Sequence, residues 1–229
     1  MKKILGLMVV VINTAMAEWP VSTADGLQLF PMICSDQQGG ALIGFADLRN
    51  RPLGPSYSHG YEIYFQHLDA NMMRWNEDVA VSIPKGSEKH GHRLNGVICE
   101  GNLGEAISCW VNYHNLRPSG GDTTGIYAQK VANGLLQWDG DLIPGKQPVK
   151  ITDKSTNPVS ICSDGAGGCI ITALLSDGKT IKAWGLDSDG DFYTTGNWGG
   201  NNGLPIRIGT TEAKNVKIVP DSASGAFIA

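Results

Sequence analysis

A short signature returns four times along the chain, and that recurrence restricts the fold more than any other property of the sequence. Met32-Ile33-Cys34-Ser35-Asp36, followed by Gly39-Gly40-Ala41, comes back as Val97-Ile98-Cys99-Glu100 with Gly104-Glu105-Ala106. It returns as Ser160-Ile161-Cys162-Ser163-Asp164 with Gly167-Gly168-Cys169, and lastly as Lys217-Ile218-Val219-Pro220-Asp221 with Ser224-Gly225-Ala226. The isoleucines are spaced by 65, 63 and 57 residues. Later landmarks hold the same phase. Ile63-Tyr64-Phe65-Gln66-His67-Leu68 matches Ile126-Tyr127-Ala128-Gln129-Lys130-Val131 and, more loosely, Ile181-Lys182-Ala183-Trp184-Gly185-Leu186. An aromatic follows each segment at one fixed distance: Trp75, Trp138 and Tyr193. Units repeated at such a period bury their apolar faces by stacking on one another.

Each unit reads as four short strands. The first ends at Cys34, Cys99 or Cys162 and runs into a Gly/Asp turn. The second is apolar, from Ala41 to Phe45, Ala106 to Val111 and Cys169 to Leu175. The third carries the Ile-Tyr-x-Gln pattern and closes on a turn at Asn71, Asn133-Gly134 or Asp189-Gly190. The fourth is the most variable, from Val79 to Ile83, Val149 to Thr152 and Ile206 to Ile208. Asn-Gly and Asp-Gly between apolar runs are hairpin signals because these residues accept positive φ. The 30 glycines in 229 residues exceed the usual share of about 7% and agree with many tight turns. Strand three is bulky on both faces, with Tyr61, Ile63 and Phe65 on one and Tyr64 and Leu68 on the other, as in a sheet sandwiched between neighbours.

The expectation is therefore an all-β fold: a β-propeller of four-stranded antiparallel blades with the 57–65-residue period above. Three full blades fall near residues 30–83, 95–152 and 158–209, with a partial fourth at 215–229. A β-solenoid is the alternative, but its repeats are shorter. The Trp75, Trp138 and Tyr193 series is assigned to packing between blades. The fourth unit stops inside its second strand, and residues 18–29, around Val21-Ser22-Thr23, offer a candidate latch strand. This favours a piece of a longer ring; the alternative is a compact four-bladed ring whose last blade lacks its third strand.

Cys162-Ser163-Asp164-Gly165-Ala166-Gly167-Gly168-Cys169-Ile170-Ile171, with Ile126 to Val131 and Gln137-Trp138, resembles repeats of secreted or surface bacterial β-propeller proteins. Those are broadly similar to sialidase-like and Asp-box propellers. The resemblance covers residues 30–229 and implies the fold. It does not extend to sialidase chemistry: no arginine triad and no F-R-I-P-like segment can be assigned. The Asp-box is reduced to a degenerate Ser188-Asp189-Gly190-Asp191-Phe192-Tyr193.

The first 17 residues read as a secretory signal, with Lys2 and Lys3, an apolar Ile4 to Ile12, and Ala15-Met16-Ala17 as cleavage site. The apolar run is too short to span a bilayer, which takes about 20 residues. Export leaves residues 18–229 as the propeller domain. Without Lys2 and Lys3 the chain has 16 basic and 22 acidic groups, a net charge of −6. That balance speaks against nucleic acid as a partner, because neutralising phosphates takes a clustered basic excess.

In the propeller reading, the loops after strands two and four share one face. It gathers Arg49, Arg51, Tyr57, His59, His90, His92, Arg93, Tyr113, His114 and Arg117, with Lys85 and Lys89. Cations and aromatics collected there on an acidic chain point to an anionic or sugar-like ligand; the plain alternative is that exposed loops are simply polar. The opposite face holds Asp187-Ser188-Asp189-Gly190-Asp191, in which Asp187, Asp189 and Asp191 could offer oxygen ligands to Ca²⁺. The segment partly resembles calcium loops of integrin-like propeller repeats, departing at Phe192 and Thr195. The alternative is an acidic hairpin turn. Apart from this candidate calcium, no cofactor is expected. Cys162 and Cys169 are placed opposite each other across the Ser163 to Gly168 hairpin, either as a cross-strand disulfide or as two buried thiols. The other cysteines, Cys34, Cys99 and Cys109, make the total odd.

No nucleophile elbow, no Ser-His-Asp order, no paired carboxylates in one loop and no zinc helix are present. The leading functional expectation is an exported, non-enzymatic propeller that recognises a carbohydrate, a peptide or a surface partner. The alternatives are a glycan-directed hydrolase or lyase and a structural repeat segment of a larger surface protein.

Overall fold

The computed structural model describes residues 21–25, 27–47, 49, 62–71, 73–81, 92–113, 125–139, 148–153, 159–194 and 198–229. Within them the chain is all-β, with antiparallel pairing throughout and a single turn of 3₁₀ helix at Gly200–Asn202. Each sequence repeat builds one sheet. Sheet one is β1 (Gln28–Ser35), β2 (Ala41–Asp47), β3 (Glu62–Leu68) and β4 (Val79–Ala80), in that order. Sheet two is β5 (His92–Glu100), β6 (Glu105–Tyr113), β7 (Gly125–Ala132) and β8 (Leu135–Leu136), with β9 (Val149–Thr152) also paired to β7. Sheet three is β10 (Val159–Ser163), β11 (Cys169–Leu174), β12 (Thr180–Leu186) and β13 (Leu204–Ile208). Sheet four consists of β14 (Ile218–Pro220) and β15 (Ala226–Ile228).

Sheet two departs from the expected single fourth strand. The hairpin Asn133-Gly134 reverses the chain in two residues, both at positive φ (52° and 74°), so β8 pairs at once with the end of β7. The chain then leaves and returns as β9, which pairs with the start of β7.

The sheets stack through one alternation of faces. First strands of successive sheets lie against one another: β1 against β5, β5 against β10, β10 against β14. Side chains alternate across a strand, so the repeated Ile-Cys pair points two ways. Ile98 packs back with sheet one's cluster, Ile161 with sheet two's and Ile218 with sheet three's. Cys34, Cys99 and Cys162 pack forward, each in the cluster that also takes the next sheet's isoleucine. Trp110, Trp138 and Trp184 are almost wholly buried between these layers, with Phe65, Leu42, Ile107 and Ile171. Each fully buried side chain of the size of Leu, Ile or Phe contributes roughly 1.5–3 kcal/mol.

A side-chain brace explains the spacing from the Ile-Tyr-x-Gln segment to its aromatic. Gln66 Oε1 accepts the amide of Trp75 at 2.8 Å, and Gln66 Nε2 donates to the Trp75 carbonyl at 3.3 Å. Gln129 does the same for Trp138, at 2.9 and 3.3 Å. In sheet three Trp184 takes the glutamine's place, and Tyr193 N donates instead to Gly185 O at 3.0 Å. Trp184 Nε1 is buried without a hydrogen-bond partner among the described residues, and Gly203 lies directly against it.

Candidate functional site

Two places gather polar side chains, at opposite ends of the strands. The first is the mouth formed by the turns that follow β1, β5, β10 and β14. In sheet one Asp36 Oδ1 accepts the amides of Gln38 and Gly40, both at 2.7 Å. Asp164 Oδ1 accepts Ala166 N at 2.7 Å and Gly168 N at 2.9 Å; Asp221 Oδ1 accepts Ala223 N at 2.7 Å and Gly225 N at 2.9 Å. The turn needs two residues at positive φ, taken by Gln37 and Gly39, by Gly165 and Gly167, and by Ser222 and Ser224.

These turns bond sideways as well. Gly104 N donates to Asp36 O at 2.8 Å, and Gln37 Nε2 to Gly101 O at 3.1 Å. Together the four turns surround an open cavity of about 620 Å³, lined among others by Glu100, Asn102, Ser163, Asp164, Ser222 and Ser224. The described lining includes no lysine or arginine. It therefore presents hydroxyls, two side-chain amides, backbone groups and carboxylates beside the apolar Leu103 and Pro220, a chemistry suited to hydroxyls or ammonium groups and unfavourable to anions.

The second oxygen of the turn aspartates is held from strand three's side. His67 Nε2 lies 2.9 Å from Asp36 Oδ2, and Tyr193 donates its hydroxyl to Asp164 Oδ2. The His67 bond, with the amides of Gln38 and Gly40, holds the Asp36 carboxyl below the ordinary carboxylate range. Burial, then the bond to Asp164, pushes the Tyr193 phenol up.

The second place is the far end of sheet one, on the side expected to carry the long loops. Arg49 Nη2 bridges Asp47 Oδ2 and Asp78 Oδ2, each at 2.7 Å, and the guanidinium lies 4.0 Å from the centre of the Tyr64 ring. Asp47 Oδ2 also accepts Gln28 Nε2 at 3.2 Å and Arg49 Nε at 3.0 Å. Asp78 accepts Ser22 Oγ at 2.5 Å and Gln66 Nε2 at 2.9 Å. Glu62, paired with Asp47 across β2 and β3, accepts the Tyr64 hydroxyl at 3.2 Å. Residues 21–25, which include Val21-Ser22-Thr23, carry no strand and are tied down here through Ser22. The positive charge of Arg49 is thus met by two carboxylates, and the cluster clasps the sheet's end.

Register places three more of the expected face residues, His92, Arg93 and Tyr113, at the open end of sheet two: His92 pairs with Tyr113, and Arg93 with Asn112. Arg51, Tyr57, His59, Lys85, Lys89, His90, His114 and Arg117 lie outside the described residues.

At the other acidic segment, Asp187 Oδ1 accepts the amides of Asp189 at 2.9 Å and Asp191 at 3.0 Å. This carboxylate caps its own hairpin. Among the described residues no three His, Cys, Asp or Glu side chains stand together as metal ligands. All five cysteines are free thiols. The β10–β11 register pairs Cys162 with Ile170 and Ser163 with Cys169, one step away from the alignment that would set the two cysteines face to face. Cys162 consequently packs toward sheet four, and Cys169 toward sheet two. Burial raises both thiols, Cys162 to about 11. No described helix is long and apolar enough to cross a membrane.

Neither signal for the clasp was available from motif spacing: Ser22, Asp47, Arg49 and Asp78 belong to no repeat position. The mouth could have been found, since its turns are the repeat signature itself.

No protein-family model matches the chain, and no curated protein does. Solved structures similar to it include a protein of unknown function from Dyadobacter fermentans DSM 18053. That match has 10% identity and a TM-score of 0.35, over 84% of this chain and 71% of the other. The polysaccharide lyase Uly1 matches at 12% identity with a TM-score of 0.41, over 85% of this chain; the chain spans 53% of the lyase's length. Likeness at this level assigns no activity to the chain.

Proposed function

We propose that the chain is an exported recognition module of propeller architecture, non-enzymatic, which takes a neutral or amino-bearing carbohydrate at the mouth of its first-strand turns. The propeller reading is supported by one sheet per repeat and by first strands that lie side by side in series. The ligand reading is carried by one observation: the same turn from each of four sheets contributes to a single polar cavity whose described lining holds carboxylates and hydroxyls but no cation. A site assembled from equivalent turns offers a constellation of rigid acceptors, because each turn is already closed by its own aspartate or glutamate.

The test is calorimetric titration and a glycan array with the secreted chain and its Glu100→Lys variant. Glu100 lines the mouth without capping a turn. Neutral and amino sugars should bind, sialylated and uronic ones should not, and Glu100→Lys should weaken amino-sugar binding at least tenfold. Binding confined to acidic glycans, or unchanged in Glu100→Lys, would place recognition on the long-loop side instead. Turnover of a glycan substrate would favour the hydrolase or lyase reading.

A further inference from the structure

The four turns around the mouth correspond residue by residue. Each closes on the same backbone bond, from the amide of its first residue to the carbonyl of its fifth: Asp36 to Gly40, Gly101 to Glu105, Asp164 to Gly168 and Asp221 to Gly225. The second residues are therefore Gln37, Asn102, Gly165 and Ser222, and all four line the cavity.

What they do at the junction with the next turn differs. Gln37 crosses the first junction, where its Nε2 donates to the Gly101 carbonyl at 3.1 Å, and beside it the Gln38 amide lies against Gly104. At the second junction the Asn102 carboxamide lies so close to Gly167 that a Cβ there would overlap it. Both junctions are thus covered by a side-chain carboxamide from the turn before. The third junction is not. Turn three has Gly165 and Ala166 in these places, and a Cβ on Gly165 would meet no atom within 4 Å. Most of the cavity's lining comes from the two turns that flank this gap, with Ser163 and Gly165 on one side and Pro220, Ser222 and Ser224 on the other.

The groups around the gap suit a guest of the same kind. Ser163 Oγ accepts the Gly165 amide at 3.2 Å, which leaves the hydroxyl proton to be donated elsewhere. Pro220 supplies an apolar border. An ammonium group gains little here, because the Asp164 carboxylate is already engaged by the amides of Ala166 and Gly168 and by the Tyr193 hydroxyl.

We propose that the third junction seats a carboxamide carried by the ligand, so that the sugar taken at the mouth is an N-acetylated amino sugar and Gly165 is the residue that admits it. The inference rests on the reading of the mouth as a carbohydrate site and deepens it. The acetamido group stands in for the side chain that Gly165 lacks: its carbonyl oxygen accepts the Ser163 hydroxyl proton, and its methyl lies on Pro220.

Calorimetry with three disaccharides reads this out: N,N′-diacetylchitobiose, its fully deacetylated form and cellobiose, which differ only in the group at C2. Diacetylchitobiose should bind roughly tenfold more tightly than the other two, the worth of one or two well-made hydrogen bonds and a buried methyl. Gly165→Gln rebuilds at φ 76° the side chain that Gln37 carries at φ 60°; it should fill the seat and abolish the preference. Should that variant fold poorly, Ser222→Asn fills the gap from turn four, at a position already held by a non-glycine residue at φ 65°, and is read in the same way. Equal affinities for the three sugars, tighter binding of the deacetylated form, or a preference that survives in the folded variant overturns the carboxamide seat and leaves the mouth as a carbohydrate site. Binding of none of the three ends both readings.

Discussion

Sheets three and two close the same first turn with carboxylates taken from its opposite ends. In sheet three Asp164, at the start, caps the amides of Ala166 and Gly168, and the end position is Gly168. In sheet two the start is Gly101, and Glu105, at the end, reaches back to the amide of Asn102 at 3.1 Å and to Lys130 Nζ at 3.4 Å. The cause lies one turn further along the chain. β7 runs on to Ala132, which pairs with Glu105, and reverses within Asn133-Gly134. β12 stops at Leu186, and Asp187 builds a wider turn whose backbone fills the space beside position 168. A Cβ at Gly168 would overlap the Leu186 carbonyl oxygen, and Gly40 in sheet one meets Leu68 in the same way. Residue choice in one turn is set by the length of the next.

The largest expected effect tests that statement directly. Gly168→Ala should lose about 3 kcal/mol of unfolding free energy in urea, because the obstructing atoms are backbone and cannot rotate aside. A loss below that of an ordinary surface substitution would break the link between the two turns. Next in size, Asp164→Ala should lose about 2 kcal/mol, since two amides and the Tyr193 hydroxyl lose their acceptor, while Glu105→Ala should lose about 1 kcal/mol. Equal losses would show that the two carboxylates bear the same share of their turns.

The smallest effect is a pH dependence. Asp36 is held below its ordinary range, so the folded state binds its proton less tightly than the unfolded chain does. Its contribution is complete above the unfolded carboxylate range of about pH 4 and is lost as pH falls through the lowered folded value. Asp36→Asn should flatten the acid limb of thermal stability without altering its slope above neutrality. An unchanged acid limb would remove the His67–Asp36 bond from the account.

The repeat made the sheets legible because a landmark that recurs does the same physical task in each copy that carries it. Asp36, Asp164 and Asp221 cap turns, and Gln66 and Gln129 brace the backbone of an aromatic nine residues on, so spacing alone betrayed them. Trp138 is core, as its position implied, whereas Tyr193 keeps its hydroxyl on Asp164. Asp177 is an ordinary turn residue: bonds from the Thr180 hydroxyl and the amides of Lys179 and Thr180 lower its carboxyl to about 2. The cysteine register was not legible, because a shift of one residue exchanges the faces of a whole strand while leaving the apolar pattern acceptable. Nor was the Arg49 clasp, whose central members Ser22, Asp47, Arg49 and Asp78 hold no repeat position and come from three separate stretches of chain.

Lys130 gives the stack an order of events. Its buried ammonium donates to the Ser188 carbonyl of sheet three, and Trp138 Nε1 donates to the same oxygen at 3.0 Å. Opening the Asp187 hairpin takes this acceptor from both donors at once and leaves Lys130 Nζ only Glu105 Oε2 at 3.4 Å and the Gly167 carbonyl at 3.5 Å. Fraying of the hairpin is therefore expected to carry a cost in sheet two, which hydrogen exchange of the two sheets would read. Sheet four, held mainly through Ile218, Ala226 and Ile228, is free to detach earlier and at lower cost.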